Sequence, residues 1–100
     1  MMRLKGKIAF ITGSSQGLGA AIAKGYADEG AKVVVTYNSQ KEKAEKLASS
    51  INSELVLQLD VRDRQNIKDA FSSVKEKYGK LDILINNAGI NKTADFDKQT

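Results

Sequence analysis

The sequence predicts an α/β fold, the amino-terminal half of a doubly wound parallel sheet with strand order 3-2-1-4 and three helices. Three observations carry that expectation. Stretches of strand type alternate regularly with stretches of helical period, in the pattern βαβαβαβ. The first strand is apolar on both faces, as a parallel strand covered by helices on both sides must be. A Gly-rich turn, Thr12-Gly13-Ser14-Ser15-Gln16-Gly17-Leu18-Gly19, joins that strand to the first helix.

Lys7 to Thr12 forms the first strand, through Ile8, Ala9, Phe10 and Ile11. Leu18, Ile22 and Tyr26 then recur at helical spacing, and Gly30 fits the position after the helix, where a residue without Cβ takes the left-handed conformation. Lys32 to Thr36 is β-branched enough for the second strand. Ser39 and Glu42 have the spacing of a capping box, followed by the helical stripe Ala44, Leu47, Ala48 and Ile51. Glu54 to Asp60 is the third strand. Asp63 caps a third helix with Ile67, Ala70, Phe71, Val74 and Tyr78 on its buried face, ended by Gly79. Leu81 to Asn86 is the fourth strand, and Ile90 to Thr100 is polar and aperiodic.

One hundred residues suit a single domain, here expected to be incomplete, since they do not accommodate a cofactor part and a substrate part together. Neither Cys nor His occurs. This excludes disulfides, thiol nucleophiles, His-based triads and zinc sites of the usual ligand types, so no metal is expected. The net charge of +4 is spread over helix faces with acids between the lysines, and Glu42 precedes Lys46 in the favourable order for a helical ion pair. Without a basic stripe, nucleic acid is not an expected partner. The apolar run Ile8-Ala9-Phe10-Ile11 is too short for a signal sequence or a membrane span, which points to a cytoplasmic protein.

The three glycines of the turn have separate duties. Gly13 allows a sharp exit from the strand, Gly17 lets backbone approach a phosphate, and Gly19 lets the helix pack closely on the sheet. Ser14, Ser15 and Gln16 line the same turn, so their amides and hydroxyls can donate to phosphate or ribose oxygens beside the positive end of the helix. A Gly-rich turn can also be only a tight turn. Its place between a buried strand and an amphipathic helix, at the switch point of the sheet, favours a dinucleotide.

The chain resembles the short-chain dehydrogenase/reductase family through Thr12 to Gly19, Asp60-Val61 after the third strand and Asn86-Asn87-Ala88-Gly89 after the fourth. The likeness runs from about Leu4 onward and includes Gly79 to Ile85 leading into Asn86. It implies that Asp60 meets the adenine amino group, that the Val61 amide lies nearby, and that Asn87, Ala88 and Gly89 pass along the adenosine ribose. Asn86 is expected to tie the fourth strand to its neighbour instead. The family's catalytic Ser, Tyr and Lys, and an Asn on the helix after the fourth strand, would fall beyond Thr100, so no catalytic residue is assigned. Tyr37 and Lys41 share the spacing of the catalytic pair but lie at the adenosine end.

An acid at the end of the second strand would accept from the ribose of NAD and repel the extra phosphate of NADP. Thr36-Tyr37-Asn38-Ser39 has none, while Asn38, Ser39 and Lys41 can donate, so NADP (NADPH) is expected over NAD. Gln16 departs from the Arg or Lys that many NADP-dependent members carry there. The likeness implies reduction of a 3-oxoacyl thioester, on acyl carrier protein or coenzyme A, by a homo-oligomer in fatty acid synthesis. A glucose-like sugar dehydrogenase, or a dinucleotide-binding module without catalysis, are the alternatives.

Overall fold

The computed structural model describes residues 3–14 and 17–87. The strands β1 (Ile8–Ile11), β2 (Lys32–Tyr37), β3 (Leu55–Gln58) and β4 (Ile83–Ile85) alternate with the helices α1 (Gly17–Asp28), α2 (Lys41–Ser50) and α3 (Arg64–Tyr78). All strand pairs are parallel, and the order is the expected β3-β2-β1-β4. Ile11 stands opposite Val35 on one side and Ile85 on the other, so β1 and β4 flank the point where strand order reverses.

Side chains alternate across a strand, so the sheet divides the apolar residues into two cores. Ala9, Ile11, Val33 and Val35 pack with Ala23 of α1 and Ala44, Leu47 and Ala48 of α2. Ile8, Phe10 and Val34 pack on the opposite face with Ala70 and Val74 of α3, where the Phe10 and Phe71 rings are tilted with centroids 5.0 Å apart. Of the stripes read from the sequence, Ala44, Leu47 and Ala48 of α2 and Ala70 and Val74 of α3 are buried, while Ile51, Ile67, Phe71 and Tyr78 are half-buried against the two cores. Leu84, opposite Phe10 on β4, remains 52% exposed.

Three local expectations are corrected. The helical spacing of Leu18, Ile22 and Tyr26 does not mark the buried line of α1: Leu18 is 57% exposed, and the residues buried on that helix are the small Gly19 and Ala23, one turn apart. Close approach to the sheet leaves Ile22 and Tyr26 to flank that line. The capping box at Ser39 does not form: Gln40 is the N-cap of α2 and makes no side-chain cap bond. That start places Glu42 one position too early to reach back to the cap. The outer strands are also shorter than predicted, with β4 beginning at Ile83. Asp82 takes the Ile8 amide with its carboxylate at 2.8 Å, a bond that a strand carbonyl would otherwise accept.

The remaining helix ends follow their sequence signals. Asp63 accepts from the amides of Gln65 and Asn66 at the start of α3, and Gly79 closes that helix at φ 79°. After α1, Gly30 has φ 95°, and the amides of Gly30 and Ala31 reach the carbonyls of Ala27 and Tyr26, the nested pair of a Schellman turn.

Candidate functional site

The carboxyl ends of the four strands bring together Thr12 to Ser14, Asn38, Asp60-Val61 and Asn86-Asn87, with the first turn of α1 beside them. In open α/β sheets this edge is where ligands bind. Gly13 and Gly17 both hold left-handed backbone, at φ 61° and 62°. Among the described residues, a Cβ at Gly17 would meet nothing within 4 Å, so its glycine is required by conformation. Gly19 differs. A Cβ there would collide with the Gly13 carbonyl and stand 2.7 Å from the Asn87 amide nitrogen, so Gly19 is where α1 closes on the turn.

Asn87 locks this arrangement. Its Nδ2 donates to the Gly13 carbonyl at 3.2 Å, tying the end of β4 to the Gly-rich turn. Among the described residues its Oδ1, which is buried, has no hydrogen-bond partner. A buried polar atom left unmatched costs about 1–3 kcal/mol, a cost commonly met at functional sites. Beside it, Thr12 Oγ1 donates to Asn86 Oδ1 at 3.1 Å, the strand-tying role expected of Asn86.

Ser14 is fully buried, and its hydroxyl accepts from the Thr36 amide at 2.8 Å. That hydroxyl is committed within the fold, so only the backbone of Ser14 remains for a ligand. Thr36 is itself buried and donates through Oγ1 to the Ile11 carbonyl at 2.8 Å. Its role was not read from the sequence, although a hydroxyl amid the valines of a central strand is a signal for such a stitch.

Asp60 follows β3 and is gripped from two sides. Arg62 donates to it from the backbone amide at 2.9 Å and from Nε and Nη2 at 3.1 and 3.2 Å. The guanidinium bonds, then the amide, hold the Asp60 carboxyl below its ordinary pKa. Asn66 accepts from the Asp60 amide at 2.6 Å and donates to the Gln58 carbonyl at 3.0 Å. Neither Arg62 nor Asn66 was identified from sequence, because each acts through a neighbour's geometry. Val61 and Asn38 are exposed, and Gln58 Nε2 donates to the Asn38 carbonyl at 3.3 Å. Ser15, Gln16, Ala88 and Gly89 lie outside the described residues.

Tyr37 ends β2 and Lys41 opens α2, so the pair with catalytic spacing sits on two elements. Among the described residues, no three His, Cys, Asp or Glu side chains gather as a metal site. No described helix is long and apolar enough to cross a membrane.

A parallel sheet with a Gly-rich turn opening a helix at the switch point is the architecture of dinucleotide-binding folds. The chain belongs to the short chain dehydrogenase family, whose model matches residues 7–100. It is 39% identical over 102 residues to human 15-hydroxyprostaglandin dehydrogenase (NAD(+)), covering 97% of this chain and 38% of that protein. With the 3-oxoacyl-acyl-carrier-protein reductase FabG of Thermotoga maritima it shares 38% identity over 99 residues, 93% of this chain and 39% of the relative. The crystal structure of a Burkholderia cenocepacia short chain dehydrogenase in complex with NADP superposes with a TM-score of 0.83 at 43% identity, over 87% of this chain and 37% of that one. The chain thus spans about two fifths of the length of the curated relatives it matches. Family members depend on NAD or NADP, and the left-handed Gly17 at the start of α1 fits a pyrophosphate.

Proposed function

We propose that this chain forms the cofactor-binding part of an NADP-dependent oxidoreductase that, in its full-length form, reduces a 3-oxoacyl thioester to a 3-hydroxyacyl thioester. The observation that carries the reading is the convergence of Gly13, Gly17 and the start of α1 with Asp60 and Asn87 at one sheet edge. Backbone at Gly13, Ser14, Ser15, Gln16, Gly17, Leu18 and Gly19 holds the pyrophosphate, where N–H groups and the helix dipole favour negative charge. Asp60 accepts from the adenine amine beside Val61, and Asn87, Ala88 and Gly89 border the ribose. NADPH, when bound, supplies the hydride.

The preference for NADP rests on the end of β2. No acid stands between Thr36 and Lys41, and Gln40, the N-cap of α2, makes no side-chain cap bond. Asn38 lies next to a hollow lined by Ser39, Gln40, Lys41, Lys43 and Lys46, with Glu42 the one acid on it. The thioester substrate is supported by the likeness to the Thermotoga reductase. The NAD named for the human relative supports a second reading, with NAD as the cofactor.

Fluorescence titration of the full natural chain with NADPH and NADH tests the cofactor, and turnover of acetoacetyl-coenzyme A tests the reaction. NADPH is expected to bind about tenfold or more tightly, a difference of about 1.4 kcal/mol. Equal or tighter NADH binding would move the assignment to NAD. Binding of NADPH without turnover of the thioester would overturn the substrate.

A further inference from the structure

We propose that Arg62 is a positioning residue for adenine recognition, holding Asp60 so that its carboxylate presents a single open acceptor; this rests on the cofactor reading above. A carboxylate offers about four lone-pair sites on its two oxygens. Arg62 fills two of them on Oδ1, with its backbone amide at 2.9 Å and Nε at 3.1 Å, and one on Oδ2 with Nη2 at 3.2 Å. Among the described residues Asp60 has no other partner for its carboxylate, so one site on Oδ2 is left.

Asn66 fixes the platform beneath. Its amide accepts from the Asp60 N–H and donates to the Gln58 carbonyl, so the backbone carrying the carboxylate is held on both sides of the turn after β3. The carboxylate plane is therefore set by a planar fork and the loop by a bridging amide, while the side chain of Asp60 remains 31% exposed at the sheet edge. A single remaining acceptor suits a single exocyclic N–H donor. Adenine carries such an amine at its six position, whereas hypoxanthine carries an oxygen acceptor there, which would face the carboxylate without a proton between them.

An exposed ion pair of this kind contributes little to stability, and the Arg62 side chain is 80% exposed. Its effect should therefore appear in base selectivity rather than in folding. The test is calorimetric binding, in the full natural chain, of NADP and of its hypoxanthine analogue, for the wild type, Arg62→Ala and Arg62→Lys, with thermal unfolding of each protein alongside. The wild type should prefer the adenine form by about tenfold or more, as expected for a hydrogen bond to a charged group. Arg62→Ala should bring that ratio below about threefold with an unchanged melting temperature, because a freed carboxylate rotates and takes solvent donors. Arg62→Lys, which keeps the charge but cannot form the fork, should fall between them. A ratio equal in all three proteins would overturn the role of Arg62 while leaving the cofactor reading intact. Failure of the wild type to bind either dinucleotide would overturn both.

Discussion

At the residue scale, the glycines of the turn separate two physical causes that a motif merges. Gly19→Ala places a methyl group against the Gly13 carbonyl and the Asn87 amide, and overpacking of this kind costs about 1–3 kcal/mol. Gly17→Ala meets no neighbour among the described residues and carries the left-handed strain of about 1–2 kcal/mol. Urea unfolding should place Gly19→Ala at the lower midpoint, while dinucleotide affinity should fall for both. Asp82 supplies a pH test. Its bond from the Ile8 amide, opposed by desolvation and helped by Lys80, holds its carboxyl below the ordinary value of 3.8. A depressed carboxylate stabilises the fold above its unfolded pKa, and that contribution is lost as pH falls through the folded value. Melting temperatures between about pH 6 and pH 2 should drop less steeply for Asp82→Asn than for the wild type.

At the element scale, the two helices with N-caps in view behave oppositely. Asp63→Ala removes the acceptor for the Gln65 and Asn66 amides and should cost about 1 kcal/mol in chemical denaturation. Gln40→Asp should do the reverse for α2, adding up to about 1 kcal/mol where no cap bond exists. The same change puts a carboxylate beside the proposed phosphate position, so NADPH affinity should fall while NADH affinity holds. A gain in stability with no change in NADPH binding would separate the start of α2 from cofactor choice. Asp63 and Gly79 were legible in the sequence because their bonds are local. The start of α2 was not: Ser39 and Glu42 match a pattern that needs the helix to begin one residue earlier. The stripes of α2 and α3 were legible because Leu47 between Ala44 and Ala48, and Val74 after Ala70, fall at helical spacing on the buried side, whereas α1 buries Gly19 and Ala23 and periodicity favoured the bulkier Leu18.

At the scale of the whole molecule, strand order and the meeting of four strand ends followed from alternation, crossover handedness and the doubly wound pattern with its Gly-rich turn at the switch point. Asn87, Asp60 and the glycines were visible as residue types in motifs, but Thr36, Arg62 and Asn66 became visible only in three dimensions. They hold other groups, and one-dimensional spacing does not record what a hydroxyl or an amide bridges. Leu84 on β4 has β1 on one side only among the described residues. Residues 1–100 expressed alone should therefore self-associate through this edge, and Leu84→Lys should shift their sedimentation towards the monomer. The sheet also acts as a partition. Phe10 and Val34 answer to α3, while Ile11 and Val35 answer to α1 and α2. Volume removed on one side has no access to slack on the other, so paired substitutions across the sheet should combine additively and pairs within one face should couple. A library seeking compensating changes would be best divided along that boundary, each half searched without reference to its counterpart.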